Sequence, residues 1–501
     1  MALSPIVFGE WTPDAAKTSG GLVIAKGVLS RGGRYTAKPA ISTYAGTAQV
    51  AGTVIGAFSC FTGLGGGAQQ HLFLGTSSRL YRLANSTPVD VSTNQQAYAG
   101  VDGDWVWSFE QFGENILAGA RGVPLQRFRF GEDRWFREVP DAGATELDAE
   151  TAAPRTVDAL GRIGPHILAA AGRRLQWCAF NNVDHWTPDA AYQSGETSMN
   201  ASGGGIVAIR GGESGAIFQE RAITRIAYVG GATAFQLDEV ETNRGAMSPK
   251  GIIGLGRQTF YVSEEGFFLF DGLQSLPIGL GKVDKWFQSR VNYAYRHRIT
   301  ASFDVQNRCV IVSYPADGSS TPNEQLIWSM GDNRWTYDDE SIAFAWEMGR
   351  EGATMDGATL GAVNLDTMTT TSLDSPIYRE SRRQWAAVSS SGYVSLFEGS
   401  NRAARLTTSE VALMPGRRGV VTEIWPIGDT PAASTSVTVK SRAQTGADSQ
   451  VSATASTQNS VGFCPVRVDA RYIQAQVDIA AAASWTELTG IATDMRPSSI
   501  R

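Results

Sequence analysis

Histidine is the scarcest residue able to carry chemistry: the 501-residue chain has four, His71, His166, His185 and His297, far apart in sequence. So few leave little for acid–base relays or a metal cage, and satisfied structural roles are expected for all four. Cysteine is as thin. Cys60, Cys178, Cys309 and Cys464 stand singly with no CxxC pair, and read as small buried apolar residues. No apolar run reaches membrane-spanning length. The opening MALSPIVFGEWTPD has neither the basic start nor the apolar stretch of a secretion signal. Synthesis in a reducing cytoplasm, without membrane insertion, is therefore expected. Charge is modest at 18% with a net of −6, which excludes a global basic grip on nucleic acid. No G-x-S-x-G elbow mounts a nucleophile. GLGK at 279–282 is followed by Val283, where a phosphate loop needs Ser or Thr. Neither a cofactor nor a catalytic activity is expected.

What is plentiful points to strands. The 55 glycines and 10% aromatics suit short strands joined by tight turns, and the length calls for more than one domain. A repeat runs through the middle. QQHLFLGTSSRLYRLA, ENILAGARGVPLQRFRF, PHILAAAGRRLQWCAF, SGAIFQERAITRIAYVG, QTFYVSEEGFFLFDG and NRCVIVSYPADG each pair an apolar strand, a small-residue turn and a second strand. They start near residues 71, 115, 166, 215, 259 and 308. That is a spacing of roughly 40–50 residues, the size of a four-stranded propeller blade.

Three of these units reach a polar turn followed by Trp: GEDRWF at 131–136, VDHWTP at 183–188 and GDNRWT at 331–336. Asp and Asn close tight turns through their own backbone, and an indole beside them buries a large apolar area. Trp135, Trp186 and Trp335 are therefore expected to be buried at equivalent blade corners. The hexapeptide WTPDAA occurs twice, at 11–16 and 186–191. Trp11 thus marks either the same corner in an incomplete terminal unit or an arm residue docked on a neighbour. Helix is scarce. KVDKWFQSRVN at 282–292 places Val283, Trp286, Phe287 and Val291 on one stripe. Around it Lys282, Lys285, Arg290, Arg296 and Arg298 form a basic patch, either a solvated face or an interface or DNA-facing surface.

From about 405 the texture changes to alternating strands between Ser, Thr, Ala and Gly turns. In RYIQAQVDI the residues Ile473, Ala475, Val477 and Ile479 share one face. The expected chain is all-β: an N-terminal extended arm with one or two strands over 1–55, a β-propeller of six to eight blades over 56–404, and a β-sandwich ring domain over 405–501. Propellers often share one blade between the chain ends, which closes the ring. Residues 340–384 match no repeat and leave the blade count open.

Several stretches resemble the propeller proteins of short-tailed phage tails, called nozzle, tail tubular or packaged-DNA stabilisation proteins. They are SPKGIIGLGRQTFYVSEEGFFLFDG (248–272), VDKWFQSRVNYAYRHRITASFDVQNRCVIVSYP (283–315), NEQLIWSMGDNRWTYDD (323–339), the EWTPDAA opening with its Y-x-x-x-P segment, and the closing RYIQAQVDIAAAASWTELTGIATDMR. The resemblance implies a homohexameric ring below the adaptor, or head-to-tail connector, ring of a virion tail. Such a ring extends the channel, retains packaged DNA and passes it during ejection. It also implies contacts with tail fibre, spike or needle proteins and with double-stranded DNA that slides past without sequence-specific binding. The chain would be made in the host bacterial cytoplasm.

The residues leave another class of reading open, a propeller that binds or cleaves host-surface carbohydrate. Sialidase-like propellers repeat a Ser-x-Asp-x-Gly-x-Thr-Trp turn, of which GDNRWT carries only the tail. The carboxylate runs Asp338-Asp339-Glu340 and Glu264-Glu265 would have to converge for glycoside chemistry.

Overall fold

Residues 258–270 show how a repeat becomes a hairpin. Gln258–Ser263 and Gly266–Phe270 pair antiparallel across Glu264-Glu265, with Ser263 opposite Gly266. Phe260, Tyr261, Val262, Phe267 and Phe268 are buried whichever face they point to. A sheet covered on both sides loses the apolar–polar alternation of a half-exposed one. The same holds for Cys309–Tyr314, CVIVSY, buried at all six positions.

The computed structural model describes residues 4–15, 20–63, 69–84, 86–139, 153–350, 382–413, 417–442 and 451–498. Seven antiparallel four-stranded blades occupy 54–90, 108–138, 159–198, 206–242, 252–277, 300–338 and 342–396 among the described residues. Each innermost strand lies beside the next, and Ile342–Arg350 of blade seven returns to Val54–Thr62 of blade one. There Gly349 N donates to Ser59 Oγ at 3.1 Å. Blade seven takes its fourth strand from the N-terminal region: Ser42–Thr43 pairs with Val394–Leu396. The ring is closed by a shared blade, and the count is seven. Most of the unmatched stretch 340–384 lies outside the described residues.

The repeat starts read from sequence fall on the second strand of blades one to six, from Gln69–Thr76 to Cys309–Tyr314. Second strands are sandwiched and read as unbroken apolar runs. Inner strands such as Ile252–Leu255 are half-buried along their length and give a weaker signal.

Blades are wedged by aromatics. Trp107, fully buried, lies on Gly56 and Gly75 of blade one, where an added Cβ would meet the Trp107 Cβ at 2.6 Å and its indole at 2.3 Å, respectively, and its Nε1 donates to Thr76 O at 2.8 Å. Only glycine leaves room for that ring.

The region after blade seven forms a two-sheet sandwich together with the N-terminal strands. One sheet orders Val28–Arg31, Arg34–Ala37, Leu488–Pro497, Gly419–Gly428 and Cys464–Ala470, with Ser4–Val7 also on Leu488–Pro497. The other orders Leu22–Lys26, Ala404–Thr408, Tyr472–Ile479, Thr435–Arg442 and Val451–Thr457. Leu22–Lys26 also pairs parallel with the outer strand of blade six, Arg334–Asp338, so blade and sandwich share one ten-stranded sheet. One core runs through both: Phe8, Trp11 and Tyr35 pack with Trp335 and Phe267 of the propeller and with Val437 and Leu488 of the sandwich. Ile473, Ala475, Val477 and Ile479 face that core, each at most 2% exposed.

The N-terminal region therefore differs from the expected extended arm. Five strands are built into its own chain: Leu22–Lys26 lies between Ala404–Thr408 and Arg334–Asp338, Ser4–Val7 pairs with Leu488–Pro497, and Val28–Arg31 forms a hairpin with Arg34–Ala37. No helix among the described residues is long and apolar enough to cross a membrane.

Candidate functional site: the joint, the corners and the basic patch

Three acids in a row end blade six and meet three cations. Lys38, with no exposed surface, places Nζ 2.7 Å from Asp338 Oδ2 and 2.6 Å from Glu340 Oε2. It also sits 5.4 and 5.2 Å from the ring centres of Trp385 and Phe397. Arg402 grips both oxygens of Asp338, at 3.0 and 3.2 Å, and reaches Asp339 at 2.9 Å. Lys26 completes the set on Asp339 at 2.5 Å. Burial alone would raise the Asp338 pKa, but Lys38 and Arg402 outweigh it and hold the carboxyl at about 2. The carboxylate run weighed for glycoside chemistry is thus a charge-balanced lock between N-terminal region, blade six and sandwich. Asp338 stays ionised and engaged, the opposite of a general acid, whose pKa must be raised. In the other run, Glu264 faces Arg296 at 3.4 Å and Glu265 faces Arg244 at 2.9 Å.

Trp186 and Trp335 are fully buried, and each indole Nε1 donates to a main-chain carbonyl, of Val183 at 2.8 Å and of Ile278 at 3.3 Å. Trp135 corrects the expectation: its ring is half-buried beneath Arg134 at 5.9 Å, and the next residue, Phe136, fills the core with no exposed surface. The three corners are not equivalent either. Trp335 lies inside the outer strand Arg334–Asp338, Trp186 in the long loop before Gly195–Ser198, and Trp135 in the turn before Arg137–Glu138. One residue of register decides which side chain faces the neighbouring blade, and a turn motif alone does not set it.

The two WTPD words do different work. Asp189 closes its own turn, accepting from Ala191 N at 2.8 Å. Asp14 instead caps a helix in another element, accepting from the amides of Lys285 at 2.7 Å and Trp286 at 2.8 Å. Trp11 packs on Trp286 and Tyr337, ring centres 5.2 and 4.8 Å away. It is a docking residue within its own chain.

The helix itself is shorter than its apolar stripe predicts, Asp284–Gln288, followed by a 3-10 segment Tyr293–Arg298. The basic patch around it is largely neutralised. Lys282 pairs with Glu10 at 2.7 Å, Arg290 takes Glu324 with two nitrogens while lying 4.7 Å over Trp286, and Arg296 pairs with Glu264. Arg298 donates to Ser320 O at 2.7 Å. Lys285 is exposed. Three of the five cations are thus matched by carboxylates, while Arg298 and Lys285 have none in ion-pair range among the described residues.

A charge cluster that sequence reasoning missed lies on the inner strands around the propeller axis: Glu110, Arg162 and Arg210 of blades two to four, and Lys250 before blade five. Desolvation pushes Glu110 up to about 7, against the pull of Lys250, Arg162 and Arg210. It also pushes Lys250 down to about 8, against Glu110. These residues are spread over 140 positions of sequence and meet only through ring closure.

His71 is held as expected, between Thr62 Oγ1 at 2.7 Å and Arg82 Nη2 at 2.9 Å. His166 and His297 depart from the expectation, since each keeps an Nε2 without a hydrogen-bond partner among the described residues. All four cysteines are buried free thiols, and burial pushes each pKa up, to about 12 for Cys60, Cys178 and Cys309 and about 11 for Cys464. Among the described residues no group of three His, Cys, Asp or Glu is placed to hold a metal ion.

No family model matches this chain, and no curated protein does. Solved structures that it is similar to include the computationally designed Ika8 protein, at 9% identity and a TM-score of 0.36 over 75% of this chain and 97% of that one. Another is BBS1N in complex with ARL6DN, at 9% and 0.39 over 74% and 98%. A third is apo AztD from Citrobacter koseri, at 12% and 0.29 over 55% and 70%. At such identities and TM-scores these likenesses carry no argument about what the chain does.

Proposed function

We propose that this protein is a structural ring subunit of a short-tailed phage tail. It assembles into a nozzle, most simply of six copies, that docks on the adaptor ring, retains packaged DNA and lets it pass during ejection. One observation carries the reading. The ten-stranded sheet ends, at its margin farthest from the propeller, in Val451–Thr457, a strand paired on one side only among the described residues. Its sequence VSATAST holds no charge and no proline. Soluble monomers guard such edges with Lys, Pro or bulges. This strand carries one register shift, between Ala455 and Ser452, but no Lys and no Pro, so its end at 455–457 is a ready template for a second chain.

The family resemblance supplies the identity of that second chain, a further copy. The N-terminal strands do not serve as a mobile lateral arm, since they lie within their own subunit. The sandwich edges take that role, with Ser4–Val7, whose Val7 is 68% exposed, at the opposite side of the first sheet. A head-to-tail pairing of unlike edges closes into a ring when the rotation allows.

The protein acts without catalysis, and the propeller sits at the periphery of the ring. The direct test is Ser456→Lys with Thr457→Lys, which places two charges on the edge. The account expects a folded monomer that no longer assembles on its adaptor in mass photometry. Normal high-order assembly by this variant would contradict the edge reading. The rival reading, carbohydrate cleavage, is checked by incubation with host envelope polysaccharide, where release of reducing ends would overturn the non-catalytic assignment.

A further inference from the structure

Where the sandwich meets blade six, two groups of turns enclose a cleft of about 520 Å³. One wall is the sandwich hairpin turn at 31–34 with Glu487 beside it. The other is the pair of blade-six turns at 307–308 and 329–331.

Three arginines line the cleft against one carboxylate. Arg34 pairs with Glu487 at 2.5 Å, while Arg31 and Arg308 have no carboxylate in ion-pair range among the described residues. Arg31 places one nitrogen on Gln306 O at 3.3 Å. The acids behind the walls are engaged by the turns that they close. Asp304 accepts from the amides of Gln306 at 3.0 Å and Asn307 at 3.2 Å, and Asp332 from Ser30 Oγ at 2.7 Å and Gly33 N at 3.4 Å. Gly32 and Gly33, at φ 57° and 83°, leave the hairpin turn bare, since a Cβ on either would meet nothing within 4 Å.

Arg308 also holds an unusual backbone. It sits in the left-handed region at φ 53°, its carbonyl held by Met330 N at 3.1 Å. The matching position of the next hairpin in blade six, just before Arg334–Asp338, is Asn333, also at φ 53°. Asn tolerates that conformation through its short polar side chain, whereas Arg is strained there. Strain of that kind persists where the side chain has a use.

We propose that this cleft binds a multiply charged phosphate compound of the inorganic diphosphate or triphosphate class. Arg31 and Arg308 hold it with guanidinium forks, which match phosphate oxygens two at a time, and the bare Gly32-Gly33 turn lets the oxyanion come close to the main chain. Two unmatched cations ask for a ligand with more than one negative charge. No aromatic side chain lines the cleft, so it lacks the stacking platform that a nucleic-acid strand uses. The inference stands apart from the ring reading and does not depend on it.

The test is calorimetric titration of the full chain with sodium tripolyphosphate at physiological ionic strength. Saturable one-to-one binding is expected, weakened about tenfold or more by Arg31→Gln with Arg308→Asn. Arg173→Gln, which removes an exposed charge in blade three, should leave the affinity unchanged. Absence of binding, undiminished binding by the double variant, or an equal loss in Arg173→Gln, the mark of attraction to net charge alone, would each overturn the proposal. Tighter binding of a short oligothymidylate would overturn it too, by assigning the cleft to nucleic acid. Thermal unfolding separates this role from a structural one. Asn suits the left-handed turn better than Arg, so Arg308→Asn should keep or raise the midpoint while it weakens the ligand; a lowered midpoint would make Arg308 a structural residue and count against the site.

Discussion

At the scale of single residues the molecule rests on buried aromatics and one charge lock. Truncating a fully buried Trp removes a large apolar area and leaves a cavity, so Trp186→Ala and Trp335→Ala should each destabilise by about 3–5 kcal/mol in chemical denaturation. Trp135→Ala should cost distinctly less than Phe136→Ala, because Phe136 fills the core and Trp135 does not. Equal costs would mean the register is wrong. Lys38→Met leaves Asp338 and Glu340 buried beside Arg402 alone, and breaking a buried pair by removing one partner costs about 3–5 kcal/mol. The same lock sets an acid dependence. The folded-state pKa of Asp338 is depressed, to about 2, below its unfolded value. Its contribution is therefore present above about pH 4 and lost as pH falls toward 2, on the order of 2 kcal/mol. In Lys38→Met the midpoint of acid unfolding should move up in pH, measured by tryptophan fluorescence. No movement would show that the lock does not bear on stability.

At the scale of elements, closure is the vulnerable step. Blade seven takes Ser42–Thr43 as its last strand, and the helix after blade five takes its cap from Asp14. Removing residues 1–50 should therefore leave an open edge on Val394–Leu396 and a stripped joint. The expected result is aggregation on size-exclusion chromatography; a monodisperse, cooperatively folding truncation would refute the shared blade. Asp14→Ala should cost about 1 kcal/mol, as loss of a helix cap does.

The elements also show what the sequence can and cannot disclose. Second strands such as CVIVSY were legible because a doubly covered strand is apolar throughout. So was Tyr472–Ile479, because a half-covered strand alternates. In the N-terminal region one or two strands were legible, and Val28–Arg31 does pair locally with Arg34–Ala37. The docking of Leu22–Lys26 and Ser4–Val7 was not, since their partners lie hundreds of residues away, Lys26 opposite Tyr337 and Ser4 opposite Thr493. The basic patch was legible as a cluster but not as a neutralised one, because Glu10, Glu264 and Glu324 approach it from other elements. The two histidine nitrogens that have no partner among the described residues carry no sequence signal at all, for partnering is a property of the assembled ring of blades.

At the scale of the whole molecule, a propeller closed by its own chain is joined to a sandwich through the Lys26–Tyr337 pairing and a shared core. That joint suits the proposed ring, in which the sandwiches meet laterally and the propellers project outward. For the proposed conduit, a net charge of −6 means that no globally basic surface is there to hold phosphates by counterion release. The measurement that tests this account most directly is a cryo-EM map of the protein mixed with its adaptor ring. The account predicts a ring, most simply six-fold, with an axial opening wide enough for duplex DNA, sandwiches in lateral contact through Val451–Thr457, and propellers at the rim. Density for a lone propeller on a peripheral fibre, with that edge strand free, would contradict it.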